Sequence, residues 1–332
     1  MQKKYDFITV GGTTEDITFY TDEAKMIENK KDILAQKLMA FEYGAKLKID
    51  KSYSTFGGGA SNAAVCLSKL GFNVAVIVPI GSDNRGKAVY ENFKKHKINV
   101  SLIQKIKNAE TGFTFFIVGR DKEHVGFSNR AANNNLSIGL KEIKEMNKSK
   151  WVYLTSLSGK WCEILKNVFK TKSKIAWNPG HIQLHAGFKA IGSFLKKTEI
   201  LIINKDEAIE LVISNSKFKN KDAKFLNKIP NLLKIILSYG PKIVVITNGK
   251  YGAYAIDNKK QYYQKVIQEK KRVDTTGVGD AFGSTFVAGL EFFNGDIQKA
   301  MFLSASNTAA VIGKQGAQNG SLSRREILKR MK

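Results

Sequence analysis

Val273-Asp-Thr-Thr-Gly-Val-Gly-Asp280 runs directly into Ala281-Phe-Gly-Ser-Thr-Phe-Val-Ala-Gly-Leu290, and the reading of this stretch decides the fold. Gly277 and Gly279 predict a tight turn, because glycine accepts backbone angles and close approaches that a Cβ forbids. The apolar, small-residue run that follows predicts a helix whose first N–H groups have no internal acceptor. Donors turned toward one point, at the positive end of a helix dipole, make an anion site. Two carboxylates, Asp274 and Asp280, share the turn. An acid beside an anion cradle suits a reaction better than static binding. Asp280 can take a proton from a hydroxyl while the N–H groups around Gly277, Val278 and Gly279 hold charge on a phosphoryl group. The competing reading is an aspartate capping a helix after a glycine turn.

A second glycine-rich turn, Phe56-Gly-Gly-Gly-Ala-Ser-Asn62, opens another predicted helix that Gly71 stops. It lacks the Gly-Lys-Ser/Thr ending of a Walker A loop. Together, FGGGASNAAVCLSKLG and DTTGVGDAFGSTFVAGL resemble the two signatures of the ribokinase (PfkB-type) carbohydrate kinases, with Val278 where alanine is usual. The resemblance extends from Ile8 to about Ile327. It implies an α/β fold, a ribokinase-like doubly wound and mainly parallel sheet flanked by helices, with a small β lid. One domain would span 1–332, with lid segments near 13–55 and 98–130. The implied activity is ATP-dependent phosphorylation of a sugar hydroxyl.

The same resemblance assigns roles. Asp280 is the catalytic base, beside the anion hole of Gly277, Val278 and Gly279. Asp16, Gly58, Gly59 and Asn62 contact the sugar. Asn204, Thr247, Gly249, Gly252 and Asn307 belong to the nucleotide site, although the gap from Asn307 to Gly316 is shorter than is usual in the family. Asn204-Lys-Asp-Glu207 matches an NxxE motif in which Glu207 orients hydrated Mg²⁺; the same residues also read as a helix capping box. Asp274 and nearby carbonyls are implied to hold a monovalent cation such as K⁺, as in some relatives, and pairing of lids into a homodimer is frequent among them.

Other readings stay open at this point. The long segment 17–55 leaves room for a nucleoside kinase of the same family. Arg130 is the candidate for holding a phosphate already on the acceptor, as a sugar-phosphate kinase requires. A non-catalytic sugar- or nucleotide-binding protein of this fold is a further alternative. The net charge of +25 invites nucleic acid, yet only seven of the 54 basic residues are arginine and the lysines are spread along the chain. That pattern predicts a solvated surface without specific nucleic-acid binding.

Short apolar runs at 7–10, 74–80, 151–154, 174–177, 200–203 and 242–246 predict buried strands, with ligand sites at their C-terminal ends. Thr111-Gly-Phe-Thr-Phe-Phe-Ile-Val118 predicts a lid strand, and residues 31–39 carry helical spacing. Cys66 and Cys162 read as reduced, buried thiols. His181 and His185, four apart, lack an evident third metal ligand and follow a Pro-Gly pair. No apolar run is of membrane-spanning length and the N-terminus has no apolar signal core, so the expectation is a cytoplasmic protein.

Overall fold

The computed structural model describes residues 3–29, 37–120, 124–269 and 271–331. The chain begins with β1 (Tyr5–Val10), β2 (Thr14–Tyr20), β3 (Lys25–Glu28), β4 (Lys37–Ala40) and β5 (Lys51–Gly57). There follow α1 (Gly59–Lys69), β6 (Val74–Ile77), β7 (Pro79–Gly81), α2 (Asn84–Lys95), β8 (Gln104–Ile106), β9 (Phe113–Val118) and β10 (His124–Asn129). Alternation then sets in: α3 (Leu140–Met146), β11 (Ser149–Leu154), α4 (Trp161–Val168), β12 (Lys174–Trp177), α5 (His181–His185), α6 (Gly187–Leu195), β13 (Ile200–Asn204) and α7 (Lys205–Ile213). The last part holds α8 (Ala223–Leu226), α9 (Ile229–Ser238), β14 (Ile243–Thr247), β15 (Ala253–Ile256), β16 (Gln261–Gln264), α10 (Val278–Phe292), α11 (Ile297–Ile312) and α12 (Arg324–Lys329).

Eight strands form the main sheet in the order β16-β15-β14-β13-β12-β11-β1-β6. The stretch from β14 to β6 is parallel, and β15 and β16 close one edge antiparallel. The period of two along each strand divides the core between its faces. Trp151, Tyr153, Ile200 and Ile202 pack with α1, α10 and α11 on one face. Val152, Leu154, Leu201 and Ile203 pack with α4, α6, α7 and α9 on the other. Both faces are covered, which is why these strands read as continuous apolar runs.

The first strand, β1, lies between β6 and β11, so the winding direction reverses there. Sheets of this kind place ligands at the carboxyl ends of strands beside such a reversal. A smaller sheet, β10-β9-β2-β5, stands beside the main one, and β3 pairs with β4.

Three local expectations change. Residues 37–40 are strand β4 rather than helix, hydrogen-bonded to β3; the rest of the helix-like stretch, 31–36, lies outside the described residues. The run 74–80 divides into β6 in the main sheet and β7 paired with β8. Cys66 is buried but Cys162 is exposed, because α4 turns Ile164, Leu165 and Val168 inward instead. Among the described residues no helix is long and apolar enough to cross a membrane.

Candidate active site

The 273–280 turn leads into α10 as its glycines require. Gly277 is the residue before the helix, at φ 72° in the left-handed region, and a Cβ there would lie 2.3 Å from the Ala317 Cβ. Val278, Gly279 and Asp280 form the first turn, where N–H groups have no helical acceptor. A Cβ built on Gly279 would meet nothing within 4 Å, so the space over these donors is open.

Asp280 is half-buried, and its Oδ2 accepts a 2.8 Å hydrogen bond from Asn62 Nδ2 on α1. Burial raises its pKa, and the Asn62 bond opposes part of that rise. Asn62 is in turn held through its Oδ1 by Gln318 Nε2, at 3.0 Å. The resemblance assigns Asn62 to the sugar; in the structure its amide N–H donates to the carboxylate of Asp280. Gln318 carries no motif, so nothing in the sequence marks it as part of this arrangement.

One cavity opens at this helix start and a second lies near it, beside Gly59. The larger, of about 630 Å³, has Thr247, Gly249, Gly252, Gly279 and Phe282 among its walls. Lys250, Lys265, Lys271 and Arg272 also border it, while its one bordering acid, Glu269, is ion-paired to Arg330. That rim suits a polyanion. The smaller cavity, of about 40 Å³, is lined by Gly11 and Gly12 after β1, Gly58 and Gly59 before α1, and Arg130 and Asn133. A Cβ on Gly59 would lie 3.3 Å from Asp280 Oδ1, so this carboxylate lies close to a wall residue of the smaller cavity, while its neighbour Gly279 lines the larger.

Asp16 on β2 is 6% exposed and accepts from Thr14 Oγ1 at 2.8 Å. Its pKa is pushed up to about 6, first by burial and then by the negative charges of Asp280, Asp274 and Glu15, with the Thr14 bond opposing them. Gly57 makes room for it, since a Cβ there would lie 2.0 Å from Asp16 Oδ2.

Asn204 and Glu207 form a reciprocal capping box: Asn204 N donates to Glu207 Oε2 at 2.8 Å and Glu207 N to Asn204 Oδ1 at 2.9 Å. Asn204 ends β13 directly opposite Thr247 of the larger cavity's wall. The box leaves Glu207 Oε1 and the second lone pair of Asn204 Oδ1 as acceptors for the water of a hydrated cation. Burial, then the charges of Glu210 and Asp206, push the Glu207 pKa up. An added positive charge would relieve that surplus, so the pair fits an Mg²⁺ ion.

Packing also fixes the surroundings of Asn307 and Asp274. Asn307 is fully buried, donates to Thr285 Oγ1 at 2.8 Å and accepts from Leu322 N at 2.8 Å. It is not among the walls of the larger cavity; its α11 neighbours Ala305, Thr308, Ala309 and Ile312 are. That face is readable as spacing of three and four, but nothing local says which helix face meets the cavity. Asn307→Ala is therefore expected to cost about 1–3 kcal/mol of stability while leaving ATP affinity within about twofold of wild type, a change well below one kcal/mol; urea unfolding and calorimetric nucleotide titration check this. Asp274 acts as a brace. Its Oδ1 accepts from Thr276 N, and its Oδ2 accepts from Gly316 N and Gln315 Nε2. Gln315 also accepts from Tyr20 of β2, which ties the small sheet to the 273–280 turn.

Comparison with known proteins shows the family and the fold. Residues 30–324 match the family model described as pfkB family carbohydrate kinase. The chain is 25% identical over 307 residues to the ATP-dependent 6-phosphofructokinase of Thermoanaerobacterium thermosaccharolyticum, covering 87% of this chain and 82% of that one. It is 27% identical over 304 residues to the ribokinase of Dictyostelium discoideum, covering 86% and 90%. Among solved structures, the Arabidopsis thaliana ribokinase complexed with ribose and ATP superposes with a TM-score of 0.82, at 18% identity, over 100% of this chain and 99% of that one; at that identity the likeness concerns the fold.

Proposed function

The chain belongs to the pfkB family of carbohydrate kinases, and from that premise we propose that it transfers the γ-phosphoryl group of ATP to a hydroxyl of a small sugar, with Asp280 as the base. The observation that carries this reading is the carboxylate of Asp280, held by Asn62, close to Gly59 of the smaller cavity and next in sequence to Gly279 of the larger. ATP occupies the larger cavity, its phosphates directed to the open first turn of α10. The sugar lies in the smaller one, against bare backbone at Gly58 and Gly59. Asp280 removes the hydroxyl proton, the oxygen bonds to the γ-phosphorus, and the bond to the β-phosphate oxygen breaks to release ADP. The N–H groups at Gly277 to Asp280 stabilise the charge on the phosphoryl oxygens. Asn204 and Glu207 would hold the hydrated Mg²⁺, which when bound offsets phosphate charge. A monovalent cation near Asp274 is compatible with its backbone carbonyl, since the carboxylate is committed to N–H donors.

The small sheet reads as a lid: Asp16 on β2 reaches the acceptor side, and Tyr20 is linked to the catalytic turn. Exposed Met26, Ile27, Leu38, Tyr53 and Phe127 on its strands and on the β3–β4 pair support dimerisation through this face. A sugar phosphate is the second reading, favoured by Arg130 at the wall of the smaller cavity.

ADP release with ATP and Mg²⁺ against ribose, fructose, fructose phosphates, adenosine, inosine and cytidine tests the reading. Turnover with a free sugar supports it, and turnover confined to nucleosides overturns the choice of acceptor.

The burial of Asp16 makes a pH prediction. Its folded-state pKa of about 6 lies above the unfolded value near 3.8, so between these the native state binds more protons and stability falls as pH rises. Above about pH 6 the full penalty of the desolvated charge is present, roughly 3 kcal/mol. Asp16→Asn is therefore expected to be more stable than wild type at pH 8, and to lose that advantage as pH falls toward 4. Its kcat/KM for the acceptor should drop, because the ionised carboxylate accepts from two hydroxyls. Urea midpoints at pH 8 and 5 measure the first effect; an advantage that grows on acidification would contradict it.

A further inference from the structure

α5 packs against α7, and the contact brings together three side chains that the proposed kinase chemistry does not use. His185 Nδ1 lies 3.1 Å from Glu210 Oε1, and His181 Nδ1 lies 3.6 Å from Glu210 Oε2. The two imidazole centroids are 5.4 Å apart. One ligand atom from each of the three residues falls within 4.8 Å of the others. Among the described residues this is the one group of three or more His, Cys, Asp or Glu side chains so arranged.

We propose that His181, His185 and Glu210 form a site for a divalent transition-metal ion of the zinc class, with a fourth position open to water or an anionic ligand. A tetrahedral ion with ligands at about 2.0–2.1 Å places ligand atoms about 3.4 Å apart; the two His–Glu distances, one to each oxygen of Glu210, lie on either side of that value. Two imidazoles and one carboxylate form a borderline donor set, suited to Zn²⁺ and its neighbours and unsuited to Mg²⁺, which takes oxygen. Two of the chain's four histidines are spent on it.

The supporting structure holds the three groups in place without the ion. In α5 the i, i+4 spacing puts both rings on one face, and buried anchors set the rotation of the helix. Leu184 and Gln183 are fully buried; Gln183 accepts from Gly180 N and donates to the Leu157 carbonyl. Glu210 rides on α7, whose start is capped by Asn204 and Glu207 and whose Ala208, Leu211 and Val212 are buried. Both histidine side chains are more than three-quarters exposed, so an ion has a direct entry path and the fourth position faces solvent. Glu210 is one helical turn beyond Glu207, which places this site beside, and separate from, the residues proposed to orient Mg²⁺.

Tag-free, chelator-treated protein titrated with Zn²⁺ alone tests the proposal, with Co²⁺ absorption as the second readout. No nucleotide or acceptor enters the measurement, so its outcome is independent of the kinase reading. The expected result is one saturable equivalent, with a Co²⁺ spectrum free of thiolate charge transfer. His185→Ala and Glu210→Gln should each weaken binding by about a hundredfold or more, since even outer partners of metal ligands cost 10- to 100-fold. Cys162→Ser should leave it unchanged. All three positions are solvent-accessible, and circular dichroism verifies that the variants fold. Absence of one-to-one binding, binding that survives both substitutions, or binding lost in Cys162→Ser overturns the site.

Discussion

Asp280→Asn is expected to fold, to bind ATP with near-wild-type affinity, and to turn over about 10²–10⁴-fold more slowly, the usual contribution of a positioned general base. The substitution keeps the shape of the side chain and an oxygen able to accept from Asn62 Nδ2, so the geometry at the start of α10 is retained. What disappears is the ability to take a proton. Burial raises the Asp280 pKa, and the ionised form is the active base, so wild-type kcat/KM should fall as pH is lowered through that raised value. The same burial disfavours the charged carboxylate in the folded state above that pKa. The variant's melting temperature at pH 8 should therefore equal or exceed that of wild type. Coupled ADP-release kinetics and calorimetric ATP titration separate the two effects. Turnover within about fivefold of wild type would remove Asp280 from the role of base, because the loss would fall far below the range for general-base catalysis.

Gly277→Ala should be damaging for a different reason. The residue sits at φ 72°, where a side chain costs about 1–2 kcal/mol. The new methyl would also lie 2.3 Å from the Ala317 Cβ and 2.9 Å from its Cα. Backbone lies on both sides of this overlap, so it cannot be relieved by a rotamer change. The turn must shift, and with it the donors aimed at the phosphoryl group. A loss of about 10²–10³ in kcat is expected from misplacing such a donor, together with a lowered melting temperature. Gly279→Ala is the informative partner. Its Cβ meets no protein atom within 4 Å, so its stability should be preserved while the methyl intrudes on the space over the donors. If Gly277→Ala turns over at the wild-type rate, the anion-hole assignment fails even where the protein is less stable.

Much of the architecture was legible because it is local. Period-two and period-3.6 patterns depend on which faces an element buries, and six parallel strands were marked by apolar runs. The turns at Gly58 and Gly277 were readable for a similar reason: both adopt positive φ, and glycine is the residue that does so freely. The failures share a cause as well. Residues 37–40 carry helix-compatible spacing, yet pairing with β3 makes them a strand, since a short segment takes the structure its partner allows.

The sequence by itself determined the doubly wound class, the two glycine turns and the capping box of Asn204 and Glu207. Only the tertiary structure decided what these residues face. Asn62 and Asp280 are 218 positions apart, and no spacing rule links them; packing of α1 on α10 does. Helical periodicity defines the faces of α11, while the buried contacts of Asn307 with Thr285 and Leu322 decide that Thr308 meets the cavity. His181 and His185 were visible as a pair, and their third partner, Glu210, arrives on another helix. Periodicity describes an element about its own axis; the rotation of one element against another is fixed by which side chains can be buried together.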